Sequence, residues 1–493
     1  MKRIILAALV LACLPAASQE VLTLSDCRSL ALRNNKQLAV SRTKQDVASN
    51  LRKSARTQYL PKVDAMGGYE FFNREISLLS SGQKATLSQL GTTLGQQATA
   101  GATDLLASLV GQGLLSPDAA QQLGSMLGGG SAALEQTGNA VGRQIVDAYH
   151  TDSRNIWAGT VMVRQPLYMG GAITAANRMA QIGEDMAAND LDRQRQSTLY
   201  GIDQAYWTVV SLRQKQKLAY SYRDLVRKLD GDVGKMIEQG VATRAEGLKV
   251  DVKVNEADMQ VTQVEDGLAL AKMLLCQLCG LPMDKDVALA DEDGGQLDAE
   301  AAPPAQPAPA ITARPEVRLL QNAIDMGEQG TRLVRAAFLP HVALTGGYMV
   351  TNPNVFNGFQ RKFAGVWNVG VMFQLPVWNW FEGAYKVRAS KAATRMAQME
   401  LADAQEKIRL QIAQSQFKVD EAWKRLGMAR KNIKSAEENL RCANLGFKEG
   451  VMDATDVMTA QTAWQQAQSQ KIDAEIEVRL ARVALDKAQG VLR

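Results

Sequence analysis

The feature that most restricts what this chain can fold into is a long helical pattern that occurs twice at a fixed distance. From Gln405 to Gly450 there is no proline, and Ile412, Val419, Leu426, Ile433, Leu440 and Phe447 follow one another in steps of seven, the period of a coiled-coil seam. Ala205, Leu212, Ala219, Val226 and Val233 repeat that step earlier, and the two runs stop at Gly240 and Gly450, 210 positions apart. The same offset pairs Trp157 with Trp367, Val161-Met162 with Val371-Met372, Pro166 with Pro376, Ile202 with Ile412 and Gly280 with Gly490. Before Trp157 the offset becomes 279, pairing Leu60-Pro61-Lys62-Val63 with Leu339-Pro340-His341-Val342, so the first copy holds 69 extra residues between Tyr69 and Trp157. The chain is an internal duplication.

Each copy predicts the same order of elements. A helix runs from about Ser25 to Tyr59, and in the second copy from about Pro315 to Phe338, each closed by Leu-Pro. Alternation follows: Val63, Ala65, Gly67, Tyr69 and Phe71 share one face of a strand and Asp64, Met66, Gly68 and Glu70 the other. A second strand places Trp157, Val161, Val163 and Leu167, or Trp367, Val369, Val371, Phe373 and Leu375, on its apolar face, and Pro166 and Pro376 are expected to end these strands. Gly170-Gly171 or Glu382-Gly383 then lead into the long helices. The first, about Ala172 to Gln239, would span on the order of 100 Å; return helices run to about Gly280 and Val491. Strands of about ten residues with Tyr168, Trp378, Trp380, Phe381 and Tyr385 just beyond them match a transmembrane β-barrel with an aromatic girdle. A half-buried soluble sheet fits the alternation alone equally well.

The N-terminus reads as an export signal over residues 1–18: Lys2-Arg3, an apolar run from Ile4 to Leu14, and Ala16-Ala17-Ser18 before Gln19. Val10-Leu11-Ala12-Cys13 also resembles a lipoprotein processing box; conventional cleavage is favoured because the apolar run continues past Cys13. No later stretch reaches the ~18 apolar residues of a spanning helix. The first repeat occupies 19–284, with an insertion of about 73–155 in which Ala102–Val110 and Pro117–Leu127 are expected to be short helices. Leu105, Leu106, Leu109, Leu114 and Leu115 there suggest a packed cap. Residues 285–311, centred on Ala-Glu-Ala-Ala-Pro-Pro-Ala-Gln-Pro, read as an extended surface linker, and 312–493 is the second repeat.

Several function classes lack a basis. Two histidines, no phosphate loop, no nucleophile elbow and no metal-ligand cluster predict a protein that is not an enzyme and holds no cofactor or metal. A net charge of +5 without a basic block predicts no nucleic-acid partner. Cys276-x-x-Cys279 is a lone pair on a Leu-rich helix, read first as two small residues on a packed face; a disulfide between them would strain a helical turn.

Four strands cannot close a barrel, so a membrane-spanning chain of this kind must oligomerise. The duplicated order of elements, with Gln165-Pro166-Leu167-Tyr168-Met169-Gly170-Gly171 and Phe447-Lys448-Glu449-Gly450-Val451 through Asp456-Val457, resembles the TolC-like outer-membrane efflux proteins. That resemblance covers nearly all of the mature chain. It implies a mainly α fold with a transmembrane β portion, a homotrimer forming a 12-stranded β-barrel in outer-membrane lipid and a 12-stranded α-helical barrel across the periplasm. It also implies docking to a periplasmic adaptor and an inner-membrane transporter of the RND or ABC type. The insertion, and the absence of a basic residue after the second tip glycine, where Val451 and Met452 stand, are departures from the family pattern.

Function is expected at the hairpin tips. Thr243 with Glu246 makes a capping box, and Asp453 with Asp456 imitates one. Under threefold symmetry one carboxylate per chain becomes a ring of three, so Glu246, Asp453, Asp456 and Thr459 are the candidate periplasmic gate. The resemblance puts Asp456 at the family's first acidic position and Thr459 where some members have a second. Gly240, Val241, Thr243, Gly450, Val451 and Met452 are the candidate adaptor-docking residues. The leading reading is a passive exit duct for small molecules or proteins across the periplasm and outer membrane; the rival reading is a periplasmic coiled-coil adaptor, or a structural protein of an export system, without its own pore.

Overall fold

The computed structural model describes residues 21–73, 79–96, 102–126, 131–149, 154–292, 311–356 and 360–492. The leader with Cys13, the Pro/Ala-rich stretch 293–310 and the triple glycine 128–130 lie outside them. In chain order the elements are β1 (Val21–Leu22), α1 (Leu24–Asn34), α2 (Lys36–Arg56), β2 (Lys62–Phe71) and the insertion helices α3 (Ser81–Ser88), α4 (Leu90–Gln96), α5 (Ala102–Gly111), α6 (Pro117–Met126) and α7 (Ser131–Ala148). Then come β3 (Asn155–Met169), α8 (Ala172–Glu238), α9 (Arg244–Cys279), β4 (Ala288–Leu289), α10 (Pro315–Ala336), β5 (His341–Asn352), β6 (Ala364–Gln374), α11 (Glu382–Lys448) and α12 (Ala454–Gln489). They form two units, one from Arg56–Ile173 and Ala336–Trp380, the other from the remaining segments, so each unit draws on both repeats.

The first unit holds an antiparallel four-stranded sheet in the order β2-β3-β5-β6. Its register sets Val63 opposite Val163, Val163 opposite Gly346 and Gly346 opposite Val369, and likewise Tyr69, Trp157, Val161, Tyr348, Trp367 and Val371 fall on one face. Lys62, Asp64, Thr160, Arg164, Thr345, Asn368 and Gln374 lie on the other, together with Met66, Met162, Met349 and Met372. The expected division of faces is present. The outer strands β2 and β6 each pair on one side only and are exposed almost throughout.

Pro166 does not end its strand. Pairing with β2 stops at Arg164, whereas β3 continues to Met169 against β5 with a register shift between Pro166 and Tyr168. Proline lacks the N–H that a central strand needs, and here it sits at a bulge beyond the last β2 partner, where the strand is locally an edge. Pro376 does lie beyond its strand.

The insertion contains more helix than expected: α5 and α6 match the two expected short helices to within a residue, while α3, α4 and α7 are additional. Leu90, Leu94, Leu106, Leu109, Leu115 and Leu123 are buried together in its own core. Glycine allows the close contacts around it. A Cβ on Gly142 would fall 1.7 Å from the Leu87 carbonyl oxygen, and one on Gly138 would fall 2.5 Å from the Gly91 Cα. Asn139 Oδ1 accepts from the Gly91 and Thr92 N–H groups at 2.9 and 3.3 Å, satisfying first-turn donors of α4.

In the second unit, Asn35 interrupts the expected continuous first helix: its extended backbone caps α1, and its side chain accepts from Gln37 and Leu38 N–H at 2.9 and 3.2 Å. Arg28 donates through Nε to Asp203 at 2.7 Å, joining α1 to the fully buried Asp203 of α8. Of the predicted heptad positions of α8 and α11, Ala205, Ala219, Val226, Val233, Leu426, Ile433 and Leu440 are buried, and Leu212, Ile412, Val419 and Phe447 are half-buried. Residues 285–292, expected in the linker, are a correction. Here β4 pairs in parallel with β1, and Val287 and Leu289 enter the core beside Leu22 and Tyr206, because their alternate apolar side chains had a surface to cover. No helix among the described residues is long and apolar enough to cross a membrane.

Side-chain bonds give the lateral order of the long helices. Arg227 to Asp258 (2.9 Å) joins α8 to α9, Lys215 to Asp473 (2.7 Å) joins α8 to α12, and Asn432 to Gln470 (3.1 Å) joins α11 to α12. Nearer the helix starts, Gln194 meets Gln37 of α2, Arg318 of α10 meets Asp192, and Thr331 meets Ser390 of α11. One flank of the layer is therefore α2 and α9, and the other is α11. Each flank carries exposed apolar side chains at intervals that return to one helix face: Val40, Val47 and Leu51; Leu248, Val252, Met259 and Leu270; Met396, Met399, Leu410, Phe417 and Met428.

Candidate functional site

The two hairpin tips are built alike. Helix α8 stops because Gly240 adopts φ 75°, and α11 stops at Gly450 with φ 73°, a left-handed conformation that glycine takes without a Cβ penalty. Val241 N–H then reaches back to the Met236 carbonyl at 2.9 Å and Val451 N–H to that of Gly446 at 2.8 Å, the Schellman pattern that satisfies orphan carbonyls. The return helices start at once. Glu246 N–H donates to Thr243 Oγ1 at 3.3 Å while Thr243 N–H donates to Glu246 Oε2 at 2.7 Å. In the second tip Asp456 N–H donates to Asp453 Oδ1 at 2.9 Å and Asp453 N–H to Asp456 Oδ2 at 3.3 Å. Both are full capping boxes, each cap stabilising its helix by about 0.5–2 kcal/mol.

The structure thus brings Thr243 to Glu246 and Asp453 to Asp456. Among the described residues no bond joins Glu246 to Asp456. Thr459 stands a turn further on, with its hydroxyl donating to the Thr455 carbonyl at 2.8 Å. The docking candidates differ in exposure: Val451 is 82% and Val241 69% exposed, whereas Met452 is 39% exposed because it folds over Gly446. In the first tip Ile237 covers Gly247 in the same manner. Beneath the tips Leu229, Val233 and Val250 share one core with Leu440, Ala443, Val457 and Met458. Tyr222 Oη to Thr462 Oγ1 at 3.3 Å and Gln461 Nε2 to the Leu225 carbonyl at 3.4 Å also tie the hairpins.

One pair of groups escaped the sequence reading. Asp230 and Asp251 lie ten and eleven positions either side of Gly240 on the two helices of the hairpin; partial burial first, and the Asp251 charge second, push the Asp230 carboxyl above its ordinary value. Their near-equal distance from the tip was the available signal. The counterparts in the second hairpin, Leu440 and Gln461, carry no charge. Among the described residues no group of three or more His, Cys, Asp and Glu side chains forms a metal site. What the tips present chemically is capped helix starts, carboxylates and exposed valines.

Residues 307–491 match the family "Outer membrane efflux protein". The fusaric acid resistance protein FusA of Burkholderia cepacia is 29% identical over 180 residues, 36% of this chain, and the chain spans about a third of that relative's length (33%). The outer membrane efflux protein BepC of Brucella suis is 23% identical over 354 residues, covering 69% of this chain and 73% of BepC. Among solved structures, the outer-membrane channel OprN superposes with a TM-score of 0.71 at 15% identity, over 95% of this chain and 89% of that one.

Proposed function

We propose that this chain, a TolC-like outer-membrane efflux protein by its family match and its fold, serves as the outer-membrane exit duct of an export system and works as a homotrimer. The observation that carries the proposal is the sheet. Among the described residues its two outer strands pair on one side only, and one face is an apolar band. In lipid each unpaired backbone group costs several kcal/mol, and β6 of one copy placed beside β2 of the next continues the antiparallel alternation. Three copies supply twelve strands, enough to leave a lumen. The exposed apolar stripes on α2 and α9, and on α11, support the same lateral joining of the helices into a periplasmic barrel.

On this reading 19–284 and 312–493 are the two efflux repeats, the folded insertion faces the cell exterior, and outer-membrane lipid covers the apolar band. The tips face a periplasmic adaptor and, through it, an inner-membrane transporter of the RND or ABC type. Val241 and Val451, with Gly240, Thr243, Gly450 and Met452, form the docking surface. Asp456 with Asp453, Glu246 and Thr459 forms the gate, and the chain performs no chemistry of its own.

Light scattering of the detergent-solubilised protein is expected to give three times the mature chain mass; a monodisperse monomer or dimer overturns the barrel. The gate is tested by Asp456→Asn, which keeps a capping-capable side chain. The expected outcome in planar bilayers is weaker block by a multivalent cation added on the periplasmic side. Equal block of parent and variant assigns Asp456 to capping alone.

A further inference from the structure

We infer that Cys27 and Cys279 are joined by a disulfide as the chain folds after export, tying helix α1 to the last turn of α9. The two residues are 252 positions apart, and both are buried in the cluster that contains Leu22, Tyr206 and Leu275. Cys279 Sγ lies 3.8 Å from the Cys27 carbonyl oxygen, so its side chain is already turned toward Cys27. Cys276, the nearer partner in sequence, turns its Sγ elsewhere, toward the Lys285 carbonyl oxygen at 3.6 Å. A link within the C-x-x-C pair would have to redirect that side chain inside an intact helix, whereas a link to Cys27 uses directions already present. At the 210-residue offset the second repeat carries Asp486 and Gln489, so these thiols belong only to the repeat against which α1 packs.

The inference draws on the export reading for one thing, an oxidant. Disulfides form and persist in the periplasm and are rare in the cytosol. One thiolate attacks the disulfide of a periplasmic thiol–disulfide oxidant, forming a mixed disulfide and expelling one oxidant thiolate. The second thiolate then displaces the other oxidant sulfur, so two protons and two electrons leave this chain and the oxidant departs as a dithiol. The step precedes docking of α1. In the folded protein both sulfurs are shielded, and the contact with Cys27, reinforced by burial, holds the Cys279 thiol protonated. Once formed, the bond is equally shielded from reductants.

The test is a thiol count on protein purified from the outer membrane. Cys13 adds no free thiol whether the leader is cleaved after Ser18 or Cys13 carries lipid. Native protein is expected to alkylate at Cys442, the exposed cysteine. Denaturation without reductant should add only Cys276, and prior reduction should bring the total to four; peptide mapping should recover a Cys27–Cys279 linked pair. Cys276→Ser should keep the link, and Cys279→Ser should release Cys27. Four free thiols on denaturation without reductant, or Cys276 in the bridge, overturns the inference, and mapping the parent decides the matter even where a variant fails to fold. Should the protein prove absent from the envelope, the export reading fails instead. Refolding the purified chain in oxidised and reduced glutathione then tests the pairing by itself: a Cys27–Cys279 link upholds it and any other pattern overturns it.

Discussion

Asp230 carries a burden that its counterpart Leu440 does not, since its carboxylate is partly desolvated and faces Asp251. A raised folded-state value means that the native chain binds more protons than the unfolded chain between the ordinary value near 3.8 and the folded one. Stability is therefore greater below that window and falls as pH rises through it. Asp230→Asn is expected to raise the melting temperature of the helical signal slightly at pH 7. That gain should vanish as pH drops below the carboxylate range, and a variant with equal or lower stability at pH 7 contradicts the assignment. Another residue-scale contrast lies at the helix entries. Gly170 and Gly171 adopt φ 61° and 85°, and at the same offset Trp380 and Phe381 adopt 47° and 63°. Glu382-Gly383 was expected to match the glycine pair; the backbone instead equates it with two aromatics, in a conformation costing roughly 1–2 kcal/mol per non-glycine residue. No local sequence signal marks a left-handed Trp-Phe, so only the repeat offset could have found it. The capping boxes, by contrast, were legible, because Thr243 and Glu246 interact over three residues and need no tertiary partner.

At the scale of elements, legibility followed periodicity. The heptad seams of α8 and α11 and the alternation of β2 and β6 each repeat one packing face, and each appeared where its pattern placed it. Helix α7 did not, because Gly138 and Gly142 weaken a helical pattern while serving a contact that lies outside the helix. The pairing of β1 with β4 and the approach of Cys27 to Cys279 were equally hidden, since both join distant segments through a few residues. Gly142→Val tests the packing of the insertion. With its Cβ 1.7 Å from the Leu87 carbonyl oxygen, the helices must separate at a cost of about 1–3 kcal/mol or more. The expected result is rapid proteolysis within 79–149 while the oligomer stays intact, and a protease-resistant insertion rules out the close approach.

At the scale of the whole molecule, the two faces of the sheet predict opposite tolerance to charge. Val371→Arg places a charge on the apolar face and is expected to cost about 2–4 kcal/mol near the bilayer midplane, reducing the fraction of assembled oligomer that light scattering finds in detergent. Gln374→Arg, on the polar face of the same strand, should assemble as the parent does; equal behaviour of the two variants contradicts the lipid-facing assignment. Within each unit the flanks that would join copies are unlike one another: β2 and β6 at the two edges of the sheet, and α2 with α9 against α11 among the helices. A contact between unlike surfaces grows by addition at one side and ends only when the ring closes. A subunit damaged on a single flank, for example by Phe417→Glu, still offers its intact flank to a neighbour. Expressed beside the parent, it would be taken into arcs that cannot close and would draw sound copies in with it, so a lesion on one flank would behave genetically as a dominant poison rather than as a simple loss.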